Sequence, residues 1–171
     1  MVDAENKPDG YAGEESVVSE PTPSPLHPLR LLAISLSDEV FLKDVTEWCK
    51  KNHPTYPQAS SSLLVWRIML LSGMPLPYSP MPRGLSAILE GNRYIRDSVN
   101  ESLVVKSGDL IFWGNEKDST RVGIVAKVGA SDEFDKRFVT VVTTGVEETL
   151  KPSRFYLKDI QNECFFLRRP G

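Results

Sequence analysis

The spacing of apolar side chains changes once along this chain, near residue 91, and that change limits the fold more than any other feature. Before it, large apolar residues recur at helical intervals. Phe41, Val45 and Trp48 share one face, and Leu64, Val65, Ile68 and Leu71 share another. After it, the runs 109–113, 121–128, 138–144 and 163–167 are rich in β-branched and aromatic residues and are separated by Gly, Asn and Asp. Helices first and strands second predict an α+β domain, with N-terminal helices packed on a small antiparallel sheet.

Local signals place the elements. Ser37 followed by Asp38 and Glu39 predicts a helix start, because acids there meet the positive end of the helix dipole. Asn52-His53-Pro54 predicts its end. A second helix is expected from about Ser61 to Gly73, with Pro75 just beyond, and a short third from Gly84 to Glu90, closed by Gly91. Residues 1–28 hold acids, Ser, Gly and the prolines Pro21, Pro23, Pro25 and Pro28, with few large apolar side chains. Such a stretch cannot bury enough surface to offset its ordering entropy, so a disordered or extended tail is expected there and a single domain over 29–171.

A chain of 171 residues with 40% hydrophobic and 25% charged residues suits one globular domain. Its net charge of −3 gives no general attraction to nucleic acid or acidic membranes. Residues 1–6 are acidic and lack an apolar core, and the apolar run Leu31–Leu36 is too short to span a bilayer. No signal peptide and no membrane insertion are therefore expected, which favours a cytoplasmic or virion-associated protein. Cys49 and Cys164 lie far apart in apolar contexts, which favours two buried free thiols over a disulfide.

Two blocks carry a more specific signal. Ser60-Ser61-Ser62-Leu63-Leu64-Val65-Trp66 runs on to Ser72-Gly73, and Ser107-Gly108-Asp109-Leu110-Ile111-Phe112-Trp113 is followed by Arg121-Val122-Gly123-Ile124-Val125. Over roughly residues 55–145 this frame resembles the NlpC-type peptidases and CHAP amidases, papain-like hydrolases of peptidoglycan. The resemblance implies a papain-like arrangement with an SH3-like sheet. It also implies a nucleophilic Cys opening the first block and a His opening the second. Ser61 and Arg121 stand at those positions, and Thr143 or Thr144 at that of the third polar residue.

Those substitutions matter chemically. A serine hydroxyl is inert without a base, and a guanidinium stays protonated at any workable pH. The resemblance therefore implies a catalytically silent domain kept as a binding or structural module. Ser61, Arg121 and Trp66 would line the former groove, with a protein partner or a peptidoglycan stem peptide as ligand. Arg121 beside a helix start would suit an acidic group. No cofactor or metal is expected. Cys49 and His53 share a helical face, but only His27 and Cys164 remain as further ligands, at no recognisable metal-site spacing. Two alternatives stand beside this reading. One is an active amidase or endopeptidase using Ser61 or Cys49. The other is an SH3-like scaffold domain without hydrolase ancestry. Separately, Ser61 as a plain helix N-cap is compatible with the family resemblance, and Arg121 can be an ordinary solvent-facing strand residue.

Overall fold

The computed structural model describes residues 27–114, 119–144 and 150–170. Among the described residues four helices precede the strands: α1 (Pro28–Leu36), α2 (Glu39–Asn52), α3 (Tyr56–Leu71) and α4 (Pro82–Gly91). Strands β1 (Ile95–Ser98), β2 (Leu110–Trp113), β3 (Arg121–Gly129), β4 (Phe138–Thr144), β5 (Leu150–Tyr156) and β6 (Cys164–Arg168) follow. They form one antiparallel sheet in the order β1-β6-β2-β3-β4-β5. The α+β class expected from the change of period is what the chain adopts.

Helix α2 starts one residue later than its Ser37 signal. Asp38 is the cap, and its Oδ1 accepts hydrogen bonds from the backbone N–H of Val40 and Phe41. Its buried face is Leu42, Val45, Thr46 and Cys49, a rotation from the expected Phe41–Trp48 stripe, whose aromatic rings sit half-buried at the margin. Helix α3 begins five residues before Ser61 and contains a kink at Ala59 (φ −112°, ψ 16°). A straight helix therefore restarts at Ser60. It ends as expected at Gly73, whose φ of +78° lets Met74 N–H reach back to Met69 C=O at 2.9 Å. In α4 the expected terminator Gly91 stays helical, and Arg93 takes the left-handed turn (φ 72°) instead. Helix α1 was not anticipated. His27 caps it and Pro28 occupies its first turn, where the missing N–H is harmless. The expected tail, residues 1–28, lies outside the described residues except for these last two.

The sheet is apolar on both faces. On the helix side, Leu110, Phe112, Val122, Ile124, Val142, Phe165 and Leu167 pack against α1 to α4, and Phe112 stacks on Phe165 with centroids 5.3 Å apart. On the other side, Ile111, Trp113, Val125, Val139, Val141 and Phe166 are covered by Val99, Leu103, Leu157 and Ile160 from connecting segments. This explains why the central strands read as near-continuous apolar runs rather than alternating ones. Cys49 lies in the first core and Cys164 in the second, both free, so the sheet stands between them.

The strands outermost among the described residues, β1 and β5, escaped the sequence reading. β1 is Ile-Arg-Asp-Ser, held to β6 by an Asp97–Arg168 ion pair at 2.8 Å. β5 carries Lys151, Pro152 and Arg154 on exposed positions, and Pro152 faces Val142 across the pair. Proline is tolerated there because an outer strand needs no N–H on its open side. Among the described residues, no helix is long and apolar enough to cross a membrane.

Candidate functional site

The kink in α3 brings Ser61 to the start of β3. Two turns upstream of the apolar Ile68–Met69 stretch, the restarted helix presents Ser60, Ser61 and Ser62 in its first turn. Ser61 is 7% exposed, and its Oγ accepts a hydrogen bond from the backbone N–H of Val122 at 3.3 Å. The hydroxyl therefore ties helix to strand across 61 residues of sequence and does not cap its own helix.

The other side of the same residue is held by β4. Thr143 Oγ1 donates to Val122 C=O at 2.7 Å, a buried bond. Thr143 is itself 5% exposed. Gly123, next in the strand, makes this approach possible. A Cβ there would lie 2.6 Å from Val141 Cγ1 and 2.9 Å from Thr143 Cβ, closer than packed carbons allow. Ser61, Val122 and Thr143 thus form a chain of hydrogen bonds through one strand residue.

Arg121 takes a different direction. Val122 belongs to the helix-side core, so its neighbour projects from the opposite face of the sheet. There the Arg121 guanidinium lies 4.2 Å over the ring of its cross-strand partner Trp113 and reaches Thr144 C=O at 3.4 Å. Burial lowers its pKa from the ordinary arginine value, but a guanidinium remains charged at neutral pH. The expected confrontation of Arg121 with Ser61 across a groove is replaced by two side chains engaged on either side of the same strand. Alternation along β3 is the physical reason.

Trp66 lies elsewhere again. Five residues past Ser61, it is about 140° further round a helix of 3.6 residues per turn. Its ring contacts are His53 (6.2 Å) and Tyr78 (5.6 Å), and His53 in turn meets Trp48 at 5.3 Å. Arg67 covers Trp48 at 3.8 Å. Three of the expected positions, Ser61, Arg121 and Thr143, therefore gather around Val122, while Trp66 belongs to a separate row of rings.

Sequence reasoning overlooked Ser60. It is the first residue after the kink and is half-buried, so of the three serines it is the one with access to solvent at the helix start. The triple-serine run offers three registers, and only the kink at Ala59 selects among them. Cys49, the alternative nucleophile, is fully buried, and desolvation, opposed in part by Arg67, pushes its thiol up to about 11. It is protonated at neutral pH and unsuited to attack. His53 sits among tryptophan rings, and Cys49 and His53 assemble no metal site. No group of three or more His, Cys, Asp or Glu able to hold a metal ion occurs among the described residues.

No protein-family model, no curated protein and no solved structure matches this chain.

Proposed function

We propose that the chain is a catalytically silent relative of the NlpC-type and CHAP-type cell-wall hydrolases, kept as a binding or structural module in a cytoplasmic, virion or cell-wall context. One observation carries the reading. The polar groups at the positions where the resemblance calls for a nucleophile and its supporting residue are both hydrogen-bonded to Val122. In a hydrolase the nucleophile must face substrate, and a base must lie within hydrogen-bond reach of it. Here the Ser61 hydroxyl accepts a backbone N–H, and Arg121 is stacked on Trp113. The chain has only two histidines; His27 caps α1, and His53 lies in the row of rings. The former catalytic positions act as fasteners between α3, β3 and β4.

On this reading the purified protein releases no peptidoglycan fragments above background, and Ser61→Cys with Arg121→His together recovers at most a trace. Robust hydrolysis by the natural sequence, abolished by Ser60→Ala or Ser61→Ala, would overturn it. The binding half of the proposal keeps Arg121 as anchor for an acidic group on a protein partner or stem peptide. Arg121→Ala should then weaken binding more than Arg121→Lys, with affinity falling as salt rises, because the guanidinium forks onto a carboxylate. Equal binding by Arg121→Ala leaves the structural role alone.

A further inference from the structure

The start of β2 faces a concavity, at the opposite end of that strand from Arg121. Its volume is about 600 Å3, inside the range of small-molecule sites of about 300–1,000 Å3. Five charged side chains line it: Asp97, Lys106, Asp109, Arg168 and Arg169. Leu29, Leu103 and Val104 supply apolar wall, and Val104 is 67% exposed.

The charges do not cancel in pairs. Asp97 is taken by Arg168 at 2.8 Å. Lys106 and Arg169 have no carboxylate partner among the described residues, and Arg169 reaches only Tyr94 Oη at 3.5 Å. Asp109 is 6% exposed and accepts one backbone N–H, from Lys106, at 2.8 Å. Desolvation raises its pKa to about 6, against the lowering pull of that N–H and of the Lys106 and Arg168 charges, with Asp97 adding to the rise. A buried carboxylate so placed is under-compensated. The turn that carries it is fixed in advance: Asp109 N–H returns to Lys106 C=O, Gly108 has φ +95°, and Gly108 N–H bonds Val125 C=O. The site therefore presents two cations without an ion pair and one largely buried carboxyl in its wall, on a rigid support.

Ligand chemistry follows from that set. A simple anion such as phosphate would meet Asp109, and a simple cation would meet Lys106 and the two arginines. A molecule with charges of both signs satisfies all of them. We propose that this cavity binds a small zwitterion of the short-peptide class, its carboxylate taken by Arg169 and Lys106 and its ammonium by Asp109, with small aliphatic side chains against Leu103 and Val104. The proposal does not rest on the reading of Ser61 and Arg121, and its test uses no cell-wall substrate.

The experiment is a titration of the full chain with trialanine, followed by calorimetry or amide chemical shifts. Saturable binding at pH 7.5 is expected, weakened about 10-fold or more by N-acetylation of the peptide, by amidation of its C-terminus, or by Arg169→Ala or Lys106→Ala. Both variants should keep the natural unfolding midpoint, since neither side chain holds the fold together. Binding should also weaken at pH 5, where Asp109 takes up a proton and releases the ammonium. No saturation up to about 10 mM overturns the proposal. So does inorganic phosphate binding as tightly as trialanine, or a doubly blocked peptide that binds as well as the free one. If Arg169→Ala fails to fold, Lys106→Ala and the blocked peptides still decide the matter.

Discussion

At the Trp113 end of β2 the neighbouring polar side chains close on one another, whereas at its Asp109 end they are left facing a cavity. Ser61 and Thr143 each bond Val122, and Arg121 lies on Trp113. Four residues away along β2, Asp109, Lys106 and Arg169 line open space without ion-pair partners among the described residues. Both ends are built from turns and strand ends of one sheet. The difference lies in what stands opposite: a helix start and a neighbouring strand at the first, a loop and the segment at the end of β6 at the second. Residues packed between regular elements become part of the fold. Residues at the mouth of an irregular segment keep their charge for something else.

The contrast can be broken by stability measurements, since closed-end substitutions should cost folding energy and open-end ones should not. The largest effect is expected from Gly123→Val. Its side chain would collide with Val141 and Thr143, and overpacking of this kind costs about 1–3 kcal/mol or more. Urea unfolding that leaves the midpoint unmoved would show that β3 and β4 can part without loss. Next comes Thr143→Val, which leaves Val122 C=O buried without its hydroxyl donor, at about 1–3 kcal/mol. Ser61→Ala should cost less, about 1 kcal/mol, because its bond to Val122 is long at 3.3 Å. Lys106→Ala and Arg169→Ala should fall within about 0.5 kcal/mol of the natural protein, as surface changes do. A loss at these positions comparable with that at Thr143 would erase the distinction between the two ends.

Acidity offers the finest probe. The folded pKa of Asp109, about 6, lies above the ordinary carboxylate value of about 3.9 in an unfolded chain. The folded state therefore favours the protonated form. The contribution of Asp109 to stability is complete below about pH 4, is lost as pH rises through about 6, and stays lost above that. Asp109→Asn retains an acceptor for Lys106 N–H and removes the titration. It should gain on the natural protein between pH 4 and pH 7, read as a widening difference in unfolding midpoint. A constant difference across that range would place the Asp109 carboxyl in ordinary solvent.

How far this was legible in the chain depended on whether neighbours in space were neighbours in sequence. The central strands announced themselves through β-branched and aromatic runs, and Gly73 announced the end of α3. The outer strands did not, because Ile95-Arg96-Asp97-Ser98 and a segment holding Lys151, Pro152 and Arg154 bury too little to show a strand pattern. Helix α1 was hidden behind Pro28, which reads as part of a proline run but serves as a first-turn residue. Ser61 and Arg121, expected to face each other across a groove, both lie at the start of β3 but on opposite faces of the sheet. Their directions were not legible, since these depend on the kink at Ala59 and on which face of β3 is turned to the helices. The cavity was invisible in sequence, because its charges come from positions 97, 106, 109, 168 and 169 on separate segments.

The two outer strands set how this molecule behaves in a crowd. A sheet with apolar residues on both faces could in principle grow by adding the same strand from a second molecule. β5 offers such a newcomer exposed Lys151, Pro152 and Arg154, with one N–H missing, and β1 offers only four residues whose two charges are already clamped to Glu90 and Arg168. Charge, proline and shortness each discourage edge-to-edge pairing. Among the described residues the sheet thus has two guarded edges, and high local concentration should leave the protein free of fibrous self-assembly, a property that a variant such as Pro152→Val would put at risk.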